Sequence, residues 1–138
     1  MSEFDAILFA NAAFYAAFTA RDVAALEKVW AKDRPLSCVH PGRTAITGRD
    51  AVMRSWRAIL ENPEAPKISC HDEQIQVHGD TAVVTCIEQL AMASGAQFLM
   101  ATNVFVRVGS IWAMVHHHAG SVQVDPGAIV TERKPALN

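Results

Sequence analysis

A chain of 138 residues, 51% apolar and 19% charged, is expected to be a single domain that buries a core without disulfides or a structural metal. A net charge of −2 gives no electrostatic argument for nucleic acid or anionic membrane, and Cys38, Cys70 and Cys86 are odd in number and too widely spaced for a disulfide framework or a zinc knuckle. No run approaches the ~18 apolar residues of a membrane span, and Met1-Ser2-Glu3-Phe4-Asp5 is acidic where a signal peptide is basic, so a cytoplasmic protein with a neutral, soluble partner is expected.

In chain order, Phe4, Ile7, Leu8, Tyr15 and Phe18 recur at helical spacing between Glu3 and Ala20, with Asn11 on the same stripe and Ser2 and Asp5 placed like a capping box. Asp22 is the natural N-cap of a short second helix from Val23 to Trp30, because its carboxylate accepts from the free amides of the first turn. Leu36 to His40 reads as extended and stops at Pro41-Gly42. Thr47 is the expected cap of a third helix, with Asp50 three residues on. Val52, Met53, Trp56, Ile59 and Leu60 form its face, and Pro63 and Pro66 end it.

From Lys67 to Val124 four apolar runs are separated by Gly79-Asp80, Ser94-Gly95 and Gly109-Ser110, which predicts an antiparallel meander joined by tight turns. The inward parity moves from Ile68 and Cys70 to Ile75 and Val77, which predicts a bulge near Asp72 to Gln74. The class is therefore α+β, with three N-terminal helices over an antiparallel sheet. Residues 1–124 are expected to form one domain, and 125–138, with Pro126-Gly127 and Lys134-Pro135, a loosely attached tail.

The last run, Trp112-Ala-Met-Val-His-His-His118, carries the chemistry. Strict alternation puts Trp112, Met114, His116 and His118 on one face and Ile111, Ala113, Val115 and His117 on the other. Two-residue turns at Ser94-Gly95 and Gly109-Ser110 then pair Glu88 with Ala101 with His118, and Cys86 with Asn103 with His116. A hollow results with only the Ala101 methyl between an acid and an imidazole. Asn11, Tyr15, Trp56, Phe105, Trp112 and Met114 are expected to line it beneath the helices, with His40 as a further polar wall. On the reverse face Phe98, Met100, Val104, Val106 and Val108 meet Ile111, Ala113 and Val115, an apolar surface large enough to predict a homodimer packed sheet to sheet.

Several segments carry a resemblance: Phe-Thr-Ala-Arg-Asp at 18–22, Cys-Val-His-Pro-Gly at 38–42, Ile-Thr-Gly-Arg-Asp-Ala-Val at 46–52 with Ser55-Trp56, Ala-Thr-Asn-Val-Phe at 101–105, and Trp-Ala-Met-Val-His-His-His-Ala-Gly at 112–120. Over about residues 3 to 124 the chain resembles the nuclear transport factor 2-like superfamily, in its SnoaL-like, ketosteroid-isomerase-homologue group. That resemblance implies a cystatin-like cone, a curved sheet covered by the three helices, with a pocket and an oligomeric habit. The Trp-x-x-Val-His-x-His pattern is also similar to the association domain of calcium/calmodulin-dependent protein kinase. Ketosteroid isomerase uses an Asp base with a Tyr and a protonated Asp as oxyanion donors. At the corresponding segments this chain has His40, Phe14 with Tyr15 one residue off, and Asn103, so steroid isomerisation is not implied.

Imidazoles titrate near neutrality, so His40, His116 and His118 are candidate proton shuttles, with Glu88 tuning a histidine and Asn103 holding a ligand oxygen. Equally, the same residues could satisfy one another as pocket walls. A His-x-His pair could chelate zinc, yet no helical His pair or Cys cluster supports it, and neither metal nor cofactor is expected. The expected function is binding of a small apolar or carbonyl-containing molecule, with isomerase-, cyclase- or dehydratase-type proton transfer. The competing class is a non-catalytic ligand-binding or oligomerisation domain.

Overall fold

The structure, a computed structural model, describes residues 1–125 and Gly127. The expected tail thus falls almost wholly outside the described residues. Helix α1 spans Glu3–Ala20 and opens as expected, with Ser2 Oγ accepting from the Asp5 amide. It buries Ile7, Phe14, Tyr15 and Phe18, whereas Phe4 lies nearly half exposed at the open end of the stripe. Helix α2, Val23–Val29, is capped by Asp22 through the Ala25 amide at 3.0 Å.

Strands β1 (Ser37–Val39) and β2 (Ile46–Thr47) form a small hairpin before helix α3, Arg49–Glu61. The expected Thr47 cap is corrected here: Thr47 pairs with Ser37 in the hairpin, so the cap moves to Gly48, whose φ of 88° lets the chain leave the strand. Arg49 compensates from the first turn. It donates to the carbonyls of Glu27, Trp30 and Ala31, tying α3 to the electronegative end of α2. Val52, Met53, Trp56 and Leu60 then face the core.

Strands β3 (Lys67–His78), β4 (Thr81–Met92), β5 (Gly95–Val108) and β6 (Ile111–Ser121) make the meander, and β1 adds to β6 in parallel. The six-stranded order is β2-β1-β6-β5-β4-β3. Three registers decide the site. Across β3 and β4 the predicted bulge occurs, with Asp72 and Glu73 together opposite Cys86 and Asp72 at φ 55°. Across β4 and β5 the turn is Ala93-Ser94 rather than Ser94-Gly95, so Glu88 faces Leu99 and Cys86 faces Ala101. That slip is two residues, and both side chains keep the expected face.

Across β5 and β6 the expected pairing holds from the turn to Phe105 with Met114. Val115 is then extra, and the ladder resumes with Val104 opposite His116 and Asn103 opposite His117. One added residue reverses the parity of everything after it. His117 is consequently the buried histidine, and the expectation that His116 and His118 point under the helices is overturned.

Candidate functional site

At one end of the core, between the sheet and helices α1 and α3, the packing leaves a cavity of about 180 Å³. Phe18, Trp56, Ile59, Ile68, Leu90 and Leu99 form most of its wall, with Ala119 too small to fill the space. His40, Glu88 and His117 supply its polar surface. At the other end Phe105 and Met114 are fully buried and Trp30 bridges to Met114, leaving no room there. Of the expected lining residues Trp56 faces the cavity, whereas Phe105 and Met114 are solid core, and Trp112 walls a separate groove beside α1 and α2. Apolar residues of the right parity pack against each other first, and a hollow survives only where small ones meet polar ones.

Beneath the cavity lies a closed polar network. Asn103 Nδ2 donates to Asn11 Oδ1 at 2.9 Å and to Tyr15 Oη at 3.0 Å. Tyr15 donates in turn to Glu88 Oε2 at 2.6 Å. Asn103 Oδ1 can only accept, so the 2.6 Å contact places the proton of His117 on Nδ1. The other ring nitrogen, Nε2, therefore carries a lone pair. It makes no hydrogen bond among the described residues and stands 3.9 Å from Glu88 Oε2. Glu88 and His117 reach each other over Ala101, the small residue between their strands.

Burial sets the charges. It raises the Glu88 carboxyl to about 7 even though the Tyr15 hydroxyl favours the anion. His117, enclosed completely and ringed by His40, His116 and His118, is pushed down to about 3 and is neutral. Tyr15 is held above its ordinary range by burial and then by the Glu88 charge. At the cavity wall His40 Nε2 lies 2.9 Å from Ser55 Oγ, whose own proton goes to the Val52 carbonyl, so His40 donates and its Nδ1 is unprotonated. Burial, then the charge of Arg43, lowers its pKa.

Of the sequence candidates, Asn11, Tyr15, Glu88 and Asn103 converge on one network and His40 joins them at the cavity. His116 lies on the reverse face with Nδ1 2.6 Å from Ser37 Oγ, and His118 is exposed there. Neither reaches the cavity. His117, Cys70 and Glu73 were not singled out for the site; the first two sit on the inner side of the sheet, and Glu73 does so through the β3 bulge. The bulge was legible in β3 and could have signalled Glu73. Three consecutive histidines gave no such signal in β6. Among the described residues no cluster of three His, Cys, Asp or Glu is arranged to hold a metal ion. No helix among them is long and apolar enough to cross a membrane.

A family model described as a SnoaL-like domain matches residues 7–124. A solved structure from Streptomyces avermitilis, described as a suspected dehydratase of the NTF2-like family, is 36% identical, covers 87% of this chain and 96% of its own, and superposes with a TM-score of 0.78. Another from Thiobacillus denitrificans, described as a suspected calcium/calmodulin-dependent protein kinase type II association domain, is 31% identical over 83% of this chain and 93% of its own, with a TM-score of 0.74. F-box protein SKIP8 of Arabidopsis thaliana is 27% identical over 91% of this chain. The chain spans about half the length of that curated relative, 53%.

Proposed function

This chain belongs to the SnoaL-like domain family of the nuclear transport factor 2-like superfamily, and from that premise we propose that it binds a small, largely apolar molecule in the cavity and moves a proton on it. One observation carries the reading: a carboxyl held near neutrality, Glu88, opens into an apolar hollow beside the lone pair of His117. A group whose pKa matches the working pH is the efficient acid or base. Perturbed titratable groups at a cavity point to function. Glu88 takes or gives the proton, His117 Nε2 accepts a hydrogen bond from a ligand hydroxyl or enol, and His40 bounds the far wall. Asn103 has both amide hydrogens engaged by Asn11 and Tyr15, so it orients His117 and Tyr15 rather than meeting the ligand.

The volume supports a single ring or its open-chain equivalent. An apolar cavity of about 150 Å³ accommodates benzene, and four fused rings do not fit in 180 Å³. The chemistry is isomerisation, cyclisation or dehydration next to a carbonyl. The test is deuterium uptake from heavy water at the α-carbon of small cyclic ketones and lactones, followed by NMR together with the histidine resonances. The wild type is expected to accelerate the exchange and to shift His117 and His40, and Glu88→Gln is expected to lose about a hundredfold of the acceleration. Absence of both responses across the panel, or undiminished exchange in the variant, overturns the reading.

A second reading, assembly, is favoured by the reverse face of the sheet. Val83, Ile87, Met100, Val104 and Val106 lie there partly uncovered, continuous with Val108 and Ile111. Two copies packed through this face would cover it, and the relation to a suspected association domain agrees. Val104→Asp is expected to give monomers by sedimentation; an unchanged profile overturns the interface.

A further inference from the structure

From Ala6 to Ala20 helix α1 carries no charged side chain. A helix that is apolar all round belongs inside a core, yet only one side of α1 is covered. Ile7, Phe14 and Phe18 are buried, whereas Phe9 is left 68% exposed. On the side of Phe9, α1 faces α2 and the β5–β6 turn across a groove of about 450 Å³ that shares no lining residue with the cavity beside Glu88. Ala10 and Ala13 of α1 and Ala25 of α2 are the reason it exists, because methyl groups on facing helices leave open a channel that longer side chains would fill. Phe9 and Ile111 stand at its rims and Trp112 closes one wall. Lys28, in the last turn of α2, is the only charged side chain that lines the groove, and it makes no ion pair among the described residues.

We propose that this groove is a second binding site, for a single-chain amphiphile with an anionic head: a fatty-acid-type carboxylate whose chain lies along the alanines and whose head meets Lys28. Contiguous exposed apolar side chains mark an interaction surface, and three observations select the occupant. The lone cation of the lining calls for an anion. The space suits a chain, since an apolar volume of about 150 Å³ accommodates benzene and about 450 Å³ takes at least ten or so carbons with the head outside. The shape and surrounding charge disfavour a bilayer. A concave groove with an alanine floor meets a flat surface only at its rims, and Glu3 and Asp5 in the first turn of α1 repel anionic lipid. The broad reverse face of the sheet, by contrast, offers what a second copy would cover. The site stands apart from the reading of Glu88, and either can fail alone.

The experiment is an NMR titration of the full chain with octanoate, decanoate and dodecanoate below their micelle-forming concentrations, with decanol as the uncharged control. Saturable shifts are expected at the methyl groups of Ala13 and Val29, which line the groove, and affinity is expected to tighten about twofold to fourfold for each added methylene. Lys28→Gln is expected to weaken decanoate about threefold and to leave decanol unchanged. Ala13→Leu, which fills the channel with a good helix former, is expected to weaken both at least about tenfold. Should that variant not fold, Phe9→Gln, a change at an exposed rim, is expected to weaken both about threefold. The proposal is overturned by shifts confined to Ile59 and Leu99 of the cavity, by no saturable shift at all, or by decanoate binding that ignores both the Lys28 and the groove variants. It is equally overturned if the groove methyls respond only to phospholipid vesicles or only to self-association on raising the protein concentration.

Discussion

Strands β3 and β6 each carry one extra residue, and each extra residue turns a titratable side chain to the inner side of the sheet. In β3 it is the Asp72-Glu73 pair opposite Cys86, which returns Glu73 to the helix side; in β6 it is Val115, which brings in His117. Their traces in the chain differ. Around the first, inward Ile68, Cys70, Ile75 and Val77 alternate with outward Ser69, His71, Gln74 and Gln76, so the slip appears as a break in polarity. Around the second, Trp-Ala-Met-Val is apolar on both faces and three histidines follow, so either phase reads equally well. A bulge is visible in a sequence only where the two faces of the strand differ chemically.

That contrast can be broken first at β6. Asn103→Ala removes the partner of His117, Asn11 and Tyr15 at once, leaving buried polar groups unpaired, and is expected to lower unfolding stability by about 4 kcal/mol in a urea titration. A loss below about 1 kcal/mol would mean that the network contributes little.

The next effect is one of pH. The Glu88 pKa is raised from 4.5 to about 7, so between those values the folded chain keeps a proton that the unfolded chain releases, and stability falls as pH rises through the window by about 3 kcal/mol. The His117 pKa is lowered from 6.5 to about 3, so there the unfolded chain holds the extra proton, and stability climbs with pH across that interval by about 5 kcal/mol. The two slopes oppose each other where they overlap. His40 and His116, whose pKa values burial also lowers, add a rise of their own, so from about pH 4.5 to 6.5 the slope of stability against pH should be steepest upward in Glu88→Gln, intermediate in the wild type and lowest in His117→Gln; denaturant midpoints across the range check that order.

Deleting Val115 sharpens the comparison, because the ladder on either side already pairs Phe105 with Met114 and Val104 with His116. The deletion should close the strand into regular alternation with His117 still opposite Asn103, at a cost of about 1 kcal/mol. NMR that finds His117 titrating near neutrality in the deletion would show that the bulge itself holds it inside. Smallest is Asp72→Gly. Asp72 sits at φ 55°, where glycine is unstrained, and the change should raise stability by about 0.5 kcal/mol in thermal or urea melts.

Much of the site was legible before its geometry was known. Asn11 and Tyr15 fell on the buried stripe of α1, Glu88 and Asn103 on the inner parity of their strands, and Trp56 on the face of α3; all five are where those periodicities put them. The two-residue slip between β4 and β5 did no harm, since an even shift preserves faces. The histidines failed for the opposite reason. A shift of one residue exchanges the buried and exposed members of a run, and only the packing of His117 against Phe14 and Trp56, with its hydrogen bond to Asn103, selects the phase.

Local chemistry therefore determined the helices and two of their caps, the meander, the β3 bulge and the polar residues of α1, β4 and β5, because each follows from periodicity or from one side chain meeting its neighbours along the chain. Two features were decided only in the folded molecule: which histidine is buried, and where space is left beside Glu88. These depend on contacts between residues far apart in sequence, and the volume left after packing belongs to no single segment.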